Sequence, residues 1–112
     1  MINKKEQAIK KYLATPCDMD LVYTLHLYLS NDYCYYKTAF LPCVNYAKKR
    51  VAKGDFNKIL FLQNLVCTIN VFLRTAHCKK TYYDLPERIP LPVRFKVAEI
   101  LANHICYDFL GI

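Results

Sequence analysis

Apolar residues recur along this chain at helical spacing, and almost nowhere at the alternating spacing of a strand. Over residues 3–13, Ile2, Ile9 and Leu13, with Tyr12, line one side while Lys4, Lys5, Lys10 and Lys11 fall on the other. That is the pattern of a short amphipathic helix. Thr15-Pro16-Cys17-Asp18 then reads as a helix start, with Thr15 as N-cap, Pro16 in the first helical position and Asp18 where a capping-box carboxylate stands. The helix it opens runs to about Leu29, with Leu21, Val22, Leu25, Tyr28 and Leu29 inward. Ser30-Asn31-Asp32 is the next break, with Asp32 as N-cap.

From Tyr33 to Lys53 the spacing is helical again, carried by Phe40, Val44, Ala47 and Val51. Pro42 sits inside this segment and should kink it rather than end it, because the periodicity resumes on both sides. Gly54 is the left-handed residue that closes this helix, and Asp55 or Asn57 caps the next. Asn57 to about Cys78 carries the broadest apolar stripe: Ile59, Leu62, Leu65, Val66, Ile69, Phe72, Leu73 and Ala76. So wide a stripe must meet more than one neighbour. Lys79 to Pro92 reads as irregular, and Pro92 begins a last helix to about Leu110 with Val93, Val97, Ile100, Leu101 and His104 on one face. The expected fold is all-α: one domain over residues 1–112, a bundle of four main helices plus a short N-terminal helix, kinked at Pro42.

Composition agrees with that architecture. The 112 residues are 54% apolar and 22% charged and include two glycines, Gly54 and Gly111. Few tight hairpins can be built from so little glycine, whereas long helices with short connections can. The longest apolar run, Ile59 to Leu73, is interrupted by Gln63, Asn64, Thr68 and Asn70 and reads as a core helix, not a membrane anchor. The opening residues, Met-Ile-Asn-Lys-Lys-Glu-Gln, lack the apolar run of a signal peptide. Most of the six cysteines fall inside helices beside apolar residues, where free thiols pack as small hydrophobes. A reducing cytoplasm is the expected setting.

Three blocks of the chain carry a family resemblance. They are Leu27-Tyr28-Leu29-Ser30-Asn31-Asp32, the run from Asn45-Tyr46-Ala47-Lys48-Lys49 through Lys53-Gly54-Asp55-Phe56-Asn57, and Ile89-Pro90-Leu91-Pro92-Val93-Arg94 continuing to Leu101. In these blocks the chain resembles small, uncharacterised helical proteins of tailed bacteriophages, with Asn57 where an aspartate would be expected. The resemblance implies helical architecture and a phage or mobile-element setting inside a bacterial cell. It brings no catalytic residue with it.

Candidate chemistry narrows quickly. His77-Cys78 and His104-Ile105-Cys106 are the closest pairings of metal-binding types, but no Cys-x-x-Cys or His-x-x-x-His spacing accompanies them. No metal and no cofactor is expected. A cysteine nucleophile would need a histidine base and an orienting group brought to it, and no local signature marks such a set. His26 and His104 lie on apolar faces and are expected as hydrogen-bonded core residues. Paired carboxylates and glycine-rich phosphate loops are missing from the sequence, so a non-enzymatic protein is expected.

The formal charge of +7 points to acidic partners. Much of it is concentrated on one turn: Lys48, Lys49, Arg50, Lys53 and Lys58, opposed by Asp55, with Phe56 beside them. Such a turn could hold phosphates and stack a base, or it could be a solvated helix end whose cations answer the helix dipole. A second candidate surface is rich in tyrosine: Tyr33, Tyr35 and Tyr36 on one helix, with Tyr82 and Tyr83 in the irregular stretch. Three tyrosines so close together cannot all point inward. These surfaces support two readings. One is a module that binds nucleic acid, or an acidic nucleic-acid-associated protein, through the basic tip. The other is a protein-protein inhibitor of a bacterial host enzyme or defence complex that uses the tyrosine face, a face that would equally suit a homodimer.

Overall fold

Helix caps, more than apolar periodicity, decide where the elements of this chain begin and end. The structure is a computed structural model and describes residues 3–112; Ile2, assigned above to the first apolar face, lies outside them. Helix α1 (Lys4–Ala14) starts where the Asn3 side chain accepts from the N–H groups of Lys5 and Glu6. Helix α2 (Met19–Asn31) is capped by Asp18, which accepts from the Leu21 N–H. Thr15 does not start this helix. Its hydroxyl donates back to the Lys11 carbonyl at 2.7 Å and finishes α1 instead.

Asp32, in extended conformation between α2 and α3, caps α3 by accepting from the Tyr35 N–H at 2.9 Å. Helix α3 covers residues 33–52 in three continuous pieces: an α-helical turn at Tyr33–Tyr35, a π turn at Tyr36–Phe40, and an α-helical stretch at Leu41–Ala52. Pro42 therefore does not break the helix. The π turn lies immediately before it, with the Leu41 N–H bonding to the Tyr36 carbonyl. A wider turn is a usual way for a helix to absorb a residue that cannot take part in its ladder.

Helix α4 (Lys58–Leu73) is capped by Asn57, not Asp55, through the Leu60 N–H. It stops five residues earlier than its periodicity suggests. The Thr75 hydroxyl donates to the Phe72 carbonyl and accepts from the Cys78 N–H, ending one helix and opening a short one, α5 (Ala76–Thr81). Ala76, assigned to the inward stripe, is consequently exposed. The irregular stretch shrinks to residues 82–90. Helix α6 begins at Leu91–Ile105, continues through a second π turn at Cys106–Leu110, and is closed by left-handed Gly111.

The bundle is all-α, with no strand among the described residues. Its centre is the packing of α4 on α6, flanked by α1 on both and by α2 on α6. Leu62, Leu65 and Ile69 from α4 meet Val93, Val97 and Leu101 from α6, all buried. Val22, Leu25 and Leu29 of α2 and Val44 and Ala47 of α3 complete the core. Phe61 is buried too, although its position falls outside the expected stripe. All six cysteines are free: Cys43, Cys78 and Cys106 are buried, while Cys34 and Cys67 are exposed. No helix of the described residues is long and apolar enough to cross a membrane.

Candidate functional site

The turn between α3 and α4 is closed by its own backbone hydrogen bonds. Gly54 takes a φ of 74°, which lets the Gly54 N–H reach the Val51 carbonyl and the Asp55 N–H reach the Arg50 carbonyl. On the far side, the Asn57 side chain also donates to the Glu6 carboxylate, tying the tip to the first turn of α1. The charged tip is therefore set on a fixed frame.

The frame uses some of the candidate residues and leaves others free. Arg50 pairs with Asp55 at 3.1 Å and lies over the Tyr46 ring, 5.9 Å from its centroid. Tyr46 in turn stacks on Phe61. Phe56 is half-buried against Phe61 as well, with ring centroids 5.4 Å apart. Phe56 is an anchor of the turn, not a free stacking platform. Lys48, Lys49, Lys53 and Lys58 remain exposed, and no carboxylate among the described residues lies within ion-pair distance of them.

The tyrosine candidates separate into two groups. Tyr33, Tyr36 and Tyr83 are exposed, Tyr33 and Tyr83 strongly so. Tyr35 is fully buried; its hydroxyl meets Thr68 at 3.0 Å, and burial pushes the phenol well above its ordinary range. Tyr82 is half-buried, stacked on Tyr28 with its hydroxyl on Asp32 at 2.6 Å. Burial and the neighbouring Asp32 push the Tyr82 phenol up to about 12. Tyr35 thus works inside the fold, whereas Tyr82 is engaged through its hydroxyl and keeps part of its ring accessible.

Asp32 is the polar hub of the core. One carboxylate oxygen accepts from the Tyr35 N–H, and the other accepts from Tyr82 and meets His77 Nε2 at 2.7 Å. Burial alone would raise its pKa, but these hydrogen bonds more than offset that and hold it below the usual value. Cys34 is close by: one donor atom each of Asp32, Cys34 and His77 lies within 4.8 Å of the others. This grouping differs from the His77-Cys78 pairing considered from the sequence. Because Tyr82, His77 and the α3 N-terminus already use the carboxylate, the cluster is satisfied as a tie between α3, α5 and the 82–90 loop.

The histidines placed in the core by sequence are not there. His104 is exposed and pairs with Asp108 at 2.6 Å, and His26 is half-buried beside Ser30. Both line a cleft of about 410 Å³ with Phe40 and Phe109.

A larger cleft, of about 720 Å³, opens at the other end of α4 from the lysine tip, between the end of that helix, α5 and the 82–90 loop. Arg74, Lys79, Arg88 and Arg94 line it together with Glu87. These cations are scattered over twenty-one positions and have no motif spacing, so sequence reasoning did not join them. The available signal was the local imbalance over residues 74–94, with five Lys or Arg residues against Asp84 and Glu87. No family model, characterised protein or solved structure matches this chain.

Proposed function

We propose that this chain is a small, non-enzymatic binding module that engages nucleic acid, or an acidic nucleic-acid-associated protein, through the tip between α3 and α4. The observation that carries this reading is the presentation of four exposed lysines, Lys48, Lys49, Lys53 and Lys58, free of carboxylate partners on a turn pinned by Gly54 and Asn57. Cations that are not neutralised within the molecule release counterions when they meet phosphates. Because Phe56 is committed to packing on Phe61 and the exposed Tyr46 ring already lies between Phe61 and Arg50, the tip offers mainly charge. Such a surface binds the backbone and ignores sequence. The phage or mobile-element setting rests on the resemblance in the sequence alone.

The test is binding to single- and double-stranded DNA and RNA over a salt series, comparing the wild type with the Lys48→Glu, Lys49→Glu, Lys53→Glu triple variant. Four lysine-phosphate contacts on duplex give a log-log salt slope of about −3 to −4. The triple variant, still folded by circular dichroism, should lose the binding. No binding by the wild type at low salt would reject the reading. The protein-protein alternative then gains: exposed Tyr33, Tyr36 and Tyr83 suit an interface with a host protein or a second copy, and such binding would withstand salt.

A further inference from the structure

We infer that the cleft between the end of α4, α5 and the 82–90 loop binds a small phosphorylated molecule of nucleotide size. The argument starts at Arg94. Its guanidinium is half-buried, yet every partner it has is neutral: Nε donates to the Ile89 carbonyl at 2.8 Å and Nη1 to Asn70 Oδ1 at 2.6 Å. A partly desolvated charge is ordinarily matched by an opposite charge, and no carboxylate among the described residues lies within ion-pair distance of Arg94. Burial depresses the Arg94 pKa, and the nearby Arg74 guanidinium depresses it further by repulsion. The fold brings like charges together here and leaves the compensating anion to come from outside.

The geometry suits a phosphoryl group. Two of the five N–H donors of Arg94 hold the side chain in place, and three remain for a ligand. Arg74, Lys79 and Arg88 line the same cleft, so four cations face one carboxylate, Glu87. A single carboxylate ligand would leave most of that charge unanswered, whereas a phosphate or diphosphate carries enough negative charge and enough acceptors. The volume of about 720 Å³ falls within the range of small-molecule sites, and Leu73, Tyr82 and Ile89 add apolar wall beside the charge. The fixed guanidinium, concave shape and mixed lining make a pocket for a discrete ligand, unlike the convex lysine tip.

Calorimetric titration of the full chain with pyrophosphate, adenosine monophosphate and uncharged adenosine tests this inference. Pyrophosphate and the nucleotide should bind and adenosine should not. Arg74→Gln removes a cation that makes no ion pair or side-chain hydrogen bond among the described residues, so it should leave the fold intact and weaken the nucleotide at least tenfold. Arg94→Gln should do the same, with circular dichroism reporting whether the loop survives. The lysine-tip triple variant should keep nucleotide affinity within twofold, which separates this cleft from the proposed nucleic-acid site. The inference is overturned if neither phosphorylated probe binds at low salt. It is equally overturned if Arg74→Gln leaves affinity unchanged, if the tip variant abolishes binding, or if an oligonucleotide binds the cleft where the mononucleotide does not.

Discussion

The Tyr82 hydroxyl donates to the Asp32 carboxylate at 2.6 Å, joining residues fifty positions apart in sequence. The bond fastens the 82–90 loop to the junction of α2 and α3, and it shares its acceptor with His77 of α5. Removing the carboxylate strips α3 of its cap and leaves the Tyr82 hydroxyl without its partner. Asp32→Ala is expected to cost about 2–4 kcal/mol in urea unfolding. The effect has a pH signature. In the native state the depressed carboxylate holds its proton less tightly than in the unfolded chain, so its contribution is present above the ordinary value of 3.8 and is lost as pH falls through the native one. The stability gap between wild type and Asp32→Asn should therefore narrow below about pH 4. A gap independent of pH would show that the charge of Asp32 contributes nothing.

His26 gives a second pH dependence at a higher range. Burial lowers its pKa, and His104 across the cleft lowers it further. The unfolded chain then binds a proton more readily than the native one. Stability from this group is full above the ordinary value of 6.5 and falls as pH drops below it. Replacing His26 with Gln should flatten the urea midpoint in that window. An unchanged profile would show that His26 contributes nothing to the pH dependence.

These two groups show where reading the sequence reaches its limit. Apolar spacing located five substantial helices, and the special chemistry of Asp32, Gly54 and Asn57 located their caps and turn. Local ambiguity accounts for the boundary errors. Thr15 and Thr75 are both able to cap, and only the observed hydrogen bonds show that Thr15 finishes a helix while Thr75 both ends one and starts another. The basic tip was legible because its charges are contiguous. The arginine cleft and the Asp32 hub were not, because both join residues from separate elements, and no spacing rule records which loop returns to which helix.

The tyrosines next to one another on α3 should respond in opposite ways. Tyr35 is buried and hydrogen-bonded to Thr68, so Tyr35→Phe is expected to cost about 1 kcal/mol and Tyr35→Ala about 3–5 kcal/mol. Tyr33 is 72% exposed, and Tyr33→Ala should stay within about 0.5 kcal/mol of wild type. Thermal unfolding of the three variants checks the assignment. Comparable losses at Tyr33 and Tyr35 would refute the burial pattern and return Tyr35 to the surface.

At the tip, the Arg50–Asp55 ion pair makes a prediction of unusual sign. Both side chains are roughly half exposed, and a surface pair of this kind contributes at most about 1 kcal/mol. Asp55→Asn should therefore leave stability nearly unchanged, since Gly54 and Asn57 still hold the turn. It would also release Arg50 and remove the one carboxylate among the described residues within ion-pair reach of the tip's cations. If the tip binds phosphates by charge, the variant must bind nucleic acid more tightly than the wild type at every salt concentration. One added phosphate contact makes the log-log slope steeper by about 0.9 on duplex. Weaker binding by a folded Asp55→Asn protein would mean that Asp55 orients Arg50 for its partner, and that recognition at the tip depends on geometry more than on net charge.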